Sequence, residues 1–91
     1  MSKIDPSKLT RIKQLLEEEE SFPLQYTFKF IVPTNKLSEI VSLFPNEKNL
    51  STRPSSKGSY ISVTVIKEVK SADEVIKVYE SVSVIEGLVS L

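Results

Sequence analysis

The residues of this chain best placed to do chemistry form one short run: Arg53, Ser55, Ser56, Lys57 and Gly58. Two hydroxyls, an ammonium and a glycine in a loop can hold a carboxylate or a phosphate through side chains and exposed backbone N–H groups. The guanidinium just upstream adds a second cation with several donors. The spacing is not that of a P-loop, and no helix follows it. The same residues also make an ordinary turn, in which the serine hydroxyls bond local backbone groups, Gly58 supplies a positive φ and Lys57 points to water. These five residues are the candidate ligand-binding set. No catalytic residue and no metal ligand is expected.

That expectation rests on missing side chains. The chain has no histidine and no cysteine. The usual zinc, haem, iron–sulfur and thiolate sites are therefore unavailable, and no cofactor is implied. A serine nucleophile would lack its usual base. An enzyme would have to use Lys57 or Lys29 with a carboxylate, and a lysine does such work only when burial or a neighbouring cation lowers its pKa. Both read as exposed. A run of four glutamates, residues 17–20, admits two readings: a patch for a divalent cation or a basic partner, or a solvated helix end. The second is the plainer. Lys57-Gly58-Ser59-Tyr60-Ile61 touches the RNA-recognition pattern on the third strand of a similar fold. That pattern needs exposed aromatics, and the corresponding places here hold Ser59 and Ile61. With 12 basic and 12 acidic residues the net charge is zero, so nucleic acid is not the expected partner.

The elements that position these residues follow from periodicity. At 91 residues, 40% apolar and 26% charged, the chain suits one compact core. The N-terminus MSKIDPSKL has no apolar signal core and no run is long enough to span a bilayer, so a cytoplasmic protein without membrane contact is expected. Asp5-Pro6 reads as a helix start, with Asp5 as N-cap. Leu9, Ile12, Leu15 and Leu16 form its apolar stripe, and the carboxylates at its end predict a frayed last turn. Ser21-Phe22-Pro23 ends it.

In LQYTFKFIV, Leu24, Tyr26, Phe28, Phe30 and Val32 fall on one face. Gln25, Thr27, Lys29 and Ile31 fall on the other, as a strand with one buried side requires. A second helix is predicted over residues 36–44, capped by Thr34 or Asn35, with Leu37, Ile40, Val41 and Phe44 inward; Pro45-Asn46 stops it. A weak strand over residues 49–53 precedes Pro54, which suggests an edge position. The most strand-like run starts at about Ser59 and continues to Val69. There Ile61, Val63 and Val65 alternate with Tyr60, Ser62 and Thr64. Ser71 and Glu74 read as a capping box for a helix burying Ala72, Val75, Ile76, Tyr79 and Val82. A last strand, residues 85–91, sets Ile85, Val89 and Leu91 on one parity with Gly87, which leaves room for a neighbour.

The order is a helix followed by βαββαβ, the α+β ferredoxin-like arrangement: a four-stranded antiparallel sheet with two helices on one face. Residues 1–20 form the extra N-terminal helix and residues 21–91 the domain. The other face of the sheet would carry Gln25, Thr27, Lys29, Ile31, Ser62, Thr64, Ile66, Leu88 and Ser90.

Pro54-Ser55-Ser56-Lys57-Gly58-x-Tyr60-x-Ser62-Val63-Thr64 resembles the signature of the YbeD-like family of uncharacterised bacterial proteins. Phe22-Pro23 and the terminal Val89-x-Leu91 agree with it, and the resemblance covers about residues 20–91. That family is similar in fold to ACT regulatory domains. The resemblance implies a non-catalytic regulatory or interaction role, with a small anionic metabolite or a partner enzyme as the object of binding. By the same analogy it implies a homodimer through the sheet.

Overall fold

The computed structural model describes residues 6–45 and 47–91. Its elements are helix α1 (Pro6–Glu19), strand β1 (Leu24–Pro33), a 3-10 turn (Thr34–Lys36) running into helix α2 (Leu37–Ser42), strands β2 (Leu50–Pro54) and β3 (Tyr60–Val69), helix α3 (Ala72–Val82) and strand β4 (Val89–Ser90). The sheet is antiparallel in the order β2-β3-β1-β4. With three helices, one of them N-terminal, this is the expected α+β ferredoxin-like arrangement. Among the described residues, no helix is long and apolar enough to cross a membrane.

β1 and β3 form the spine. They pair over ten residues each, from Leu24↔Val69 to Pro33↔Tyr60. Cross-strand partners share a face, so Phe28, Phe30 and Val32 sit opposite Val65, Val63 and Ile61 on the side that meets the helices. All six are buried, as the alternation requires. Ile40 and Phe44, together with Val75, Tyr79 and Val82 of α3, complete one core with them, and Phe30 touches both Phe44 and Tyr79. The aromatics interlock: Phe28 lies 4.7 Å from Tyr26 and 5.5 Å from Tyr79 between ring centroids, and Phe30 lies 6.5 Å from Phe44. Each large side chain removed from water contributes about 1.5–3 kcal/mol, which makes this stripe the main source of stability.

Helix ends show where local chemistry decides. Ser71 Oγ accepts from the Glu74 N–H at 3.3 Å, as expected of an N-cap. The Glu74 carboxylate reaches back one residue further than a standard capping box, accepting from the Lys70 N–H at 2.6 Å. α1 begins at Pro6, with the proposed cap Asp5 outside the described residues, as is Asn46 after α2. The acidic end of α1 holds its turn, with the Glu20 N–H bonded to the Leu16 carbonyl at 3.2 Å. α1 lies against α3, where Lys13 meets Asp73 at 2.9 Å, so it leaves the far face of the sheet open.

Several expectations are corrected. The second helix is shorter than residues 36–44, and neither Thr34 nor Asn35 caps it. Both lie within the 3-10 turn that precedes the helix, and the Thr34 hydroxyl donates to the Gly58 carbonyl. Only Leu37 and Ile40 of this six-residue helix turn inward, and Val41 is exposed. Leu15 is 48% exposed, because α1 packs along the narrower line of Leu9, Ile12 and Leu16.

The last strand is inverted. Ile85 and Leu88 are both buried, while Val89 and Leu91 are exposed, and Ser90 pairs with Phe30 on the helix side. Residues 83–88 run as turns, with the Leu88 N–H bonded to the Ile85 carbonyl, so strand parity does not carry through them. Gly87 takes φ +83°, and a Cβ there would stand 2.8 Å from Cγ of Pro33. The neighbour it makes room for is that proline ring.

Candidate functional site

Arg53 sits near the end of edge strand β2, opposite Ser62, and Pro54 opposite Ile61. β2 and β3 are joined by residues 55–59. The Ser55 N–H bonds the Tyr60 carbonyl at 2.8 Å, the Gly58 N–H bonds the Ser55 carbonyl at 3.0 Å, and the Tyr60 N–H bonds Ser55 Oγ at 3.3 Å. Gly58 takes φ +75°, the left-handed conformation glycine adopts without strain. Thr34 fastens the loop from outside, through its N–H to the Ser59 carbonyl at 3.0 Å and its Oγ1 to the Gly58 carbonyl at 2.6 Å. The loop is thus a bonded turn. Its Gly58 N–H points inward to Ser55, and Ser56 and Lys57 stand exposed at its tip.

Beside the turn, on the open face, lies a shallow hollow of about 200 Å³ bordered by Ile31, Arg53, Ser55, Tyr60 and Ser62. Of the five residues singled out in the sequence, Arg53 and Ser55 reach it, whereas Ser56, Lys57 and Gly58 are not among its lining. Ser62 Oγ donates to the Arg53 carbonyl at 3.2 Å. Sequence reasoning missed Tyr60, Ser62 and Ile31 as members. They follow only once the hairpin register is known, because a turn closing Ser55 on Tyr60 sets Arg53 against Ser62.

The register arranges the open face in rows. One runs Arg53, Ser62, Ile31, Val89, and the next Ser51, Thr64, Lys29, with the Leu91 N–H bonded to the Lys29 carbonyl at 2.9 Å. Arg53 and Lys29 are the charged side chains in these rows, hydroxyls lie between them, and the acidic side chain that β1 and β3 place on this face is Glu68, at the far end beside Gln25. Lys29 and Lys57 are both exposed. Tyr60, 50% exposed, is the one aromatic on this face among the described residues. On the opposite side, the hydroxyls of Tyr26 and Tyr79 meet at 2.9 Å. Burial pushes the Tyr79 phenol well above its ordinary value, and its bond to Tyr26 adds to the shift. Among the described residues, no group of three or more acidic side chains is arranged to hold a metal ion.

The family model described as "Protein of unknown function (DUF493)" matches residues 17–90, which takes in the whole sheet and the turn. The chain belongs to the DUF493 family. The resemblance read from the residue 54–64 signature is borne out. Related chains carry the name UPF0250 protein. One from Shewanella piezotolerans is 29% identical over 85 residues, spanning 87% of this chain and 92% of its own length. One from Idiomarina loihiensis is 31% identical over 82 residues, spanning 84% and 93%. One from Shewanella baltica strain OS155 is 33% identical over 78 residues, spanning 79% and 89%. No solved structure matches the chain. As a DUF493 member, it brings no reaction with its family description.

Proposed function

We propose that this DUF493 chain is a non-catalytic binding domain that takes a carboxylate or phosphate on the open face of its sheet, with Arg53 as the principal contact. One observation supports this reading above others: Arg53 borders a hollow together with Tyr60, Ser55 and Ser62. The guanidinium offers a bidentate fork to a planar anion, and the hydroxyls of Ser55 and Tyr60 offer the remaining donors, since Ser62 already gives its proton to the Arg53 carbonyl. Lys29, and Lys57 at the turn, add positive potential at the same face without touching the hollow. The anion is supplied either by a small metabolite or by an acidic side chain of a partner enzyme, and either would suit a regulatory role.

The test is a titration of the ¹⁵N-labelled chain at low ionic strength. One arm uses succinate and inorganic phosphate, and the other a glutamate-rich peptide. Shifts should centre on Arg53, Tyr60 and Ser62. Arg53→Gln should weaken binding by about 10- to 100-fold, the worth of one charge-assisted bond. Silence in both arms to about 10 mM, or unchanged affinity in the variant, would sink the reading. Exposed Tyr60, Val89 and Leu91 also suit a second copy docking on this face, the homodimer that the family analogy implies. Sedimentation of the unliganded chain across a concentration series separates that use, since only a dimer changes in mass.

A further inference from the structure

The sheet has a second unsatisfied feature, away from Arg53. β1 is ten residues long and β3 covers all of it, but β4 pairs only at Phe30↔Ser90 and Ile31↔Val89. One further bond, from the Leu91 N–H, reaches the Lys29 carbonyl. The outer edge of β1 from Leu24 to Phe28 therefore has no strand beside it among the described residues. In an antiparallel ladder, alternate residues turn their main-chain groups to the same side. Lys29 turns its carbonyl toward β4, so Gln25 and Thr27 present their N–H and C=O groups outward along the bare edge.

A groove of about 470 Å³ runs beside that edge, on the helix side of the sheet. Leu15 and Leu16 of α1 and Leu24 and Tyr26 of β1 give it an apolar lining, and Glu19 and Glu20 stand on its rim. Leu15, 48% exposed, is the large apolar side chain that α1 leaves to this groove. Neither glutamate has an ion-pair partner among the described residues. Edge strands are commonly blunted by proline, a bulge or an inward charge. Between Leu24 and Phe28 there is none of these.

We propose that the bare edge of β1 is a strand-addition site for an extended, basic segment of a partner protein. The segment pairs with the main chain of Gln25 and Thr27, and its alternate side chains enter the groove beside Leu15 and Tyr26. A lysine or arginine on that same face reaches Glu19 and Glu20. The charge selects the occupant. A second copy pairing edge to edge would set two Glu19–Glu20 pairs against one short stretch, and like charges so placed oppose association. A segment of about five residues, roughly 17 Å long when extended, fills the site.

The probe is a blocked heptapeptide, Lys-Thr-Val-Thr-Val-Thr-Lys, which presents its valines and lysines on one face in either chain direction. Its counterpart carries glutamate for lysine, and a third version is N-methylated on the nitrogens that would face β1. With the ¹⁵N-labelled chain at low salt, the lysine peptide should shift and protect the amides of Gln25 and Thr27. The glutamate peptide should bind about tenfold more weakly, the worth of two exposed ion pairs. The methylated peptide should not bind. Glu19→Lys with Glu20→Lys should reverse the order of the first two; if that variant does not fold, the comparison on the parent chain decides alone. Three results overturn the proposal: no change at Gln25 and Thr27 with any peptide, equal affinity for the lysine and glutamate peptides, or concentration-dependent protection of these amides without peptide, which would make a second copy the occupant.

Discussion

Replacing Gly87 by alanine should be among the most damaging single-methyl changes in this chain, and the structure says by how much. Gly87 lies at φ +83°, and an L-residue there costs about 1–2 kcal/mol. The added Cβ would also stand 2.8 Å from Cγ and 3.1 Å from Cδ of Pro33, well inside contact. A pyrrolidine ring cannot swing aside as a lysine would, and Pro33 is pinned by its place opposite Tyr60. Relief must come from moving β4, an overpacking cost of about 1–3 kcal/mol. Alanine also lowers the entropy of the unfolded chain, which returns about 0.4–1 kcal/mol. The net is about 2–4 kcal/mol, or a fall in melting temperature of roughly 8–30 °C for a domain of this size.

Gly58→Ala is the internal control. Its φ is +75°, yet a Cβ there meets nothing within 4 Å, so only the backbone term applies, about 1 kcal/mol. Urea unfolding of the two variants side by side isolates the Pro33 contact. Amide exchange at Leu91 should quicken in Gly87→Ala alone, since its bond to the Lys29 carbonyl depends on where β4 runs. Equal stability of the two variants would refute the reasoning.

Other substitutions test other links. The Tyr79 pKa is higher folded than unfolded, so the native state keeps the proton longer. This group's contribution is level below about pH 9 and declines as pH rises past about 10, by no more than about 1.4 kcal/mol per pH unit. Urea midpoints of the parent chain should therefore fall more steeply above pH 10 than those of Tyr79→Phe. Ser71→Ala removes the acceptor for the Glu74 N–H and should cost about 1 kcal/mol by the same measurement. Thr34→Val deletes the 2.6 Å bond to the Gly58 carbonyl and should cost about 1 kcal/mol, with order parameters falling across residues 55–59 and unchanged in β3.

Where the chain is extended and half-buried, its residue types alone revealed the fold. Phe28, Phe30 and Val32 alternate with Thr27, Lys29 and Ile31, Ile61, Val63 and Val65 alternate with Tyr60, Ser62 and Thr64, and the first three of each set are buried. The same logic failed at Leu88 and Ser90. Parity needs an unbroken strand, and a turn with Gly87 intervenes. Capping was misplaced at Thr34, because the 3-10 turn over Thr34–Lys36 moves the helix start to Leu37 and leaves that hydroxyl to donate to a carbonyl 24 residues away. The candidate site was half legible. Arg53 and Ser55 stand out by type, but Ser62 and Tyr60 join them only through hairpin register. The groove under α1 depends on how far β4 extends along β1, which no local pattern states.

The long pairing of β1 with β3 also bears on how the molecule reaches its native state. Leu24 must find Val69 and Pro33 must find Tyr60, closing large loops before any reward from packing arrives. The β2–β3 hairpin closes on itself through a short turn and can nucleate first, offering β1 a template. Truncating Phe28 should therefore slow refolding, while truncating Leu9 on the outlying helix should chiefly speed unfolding.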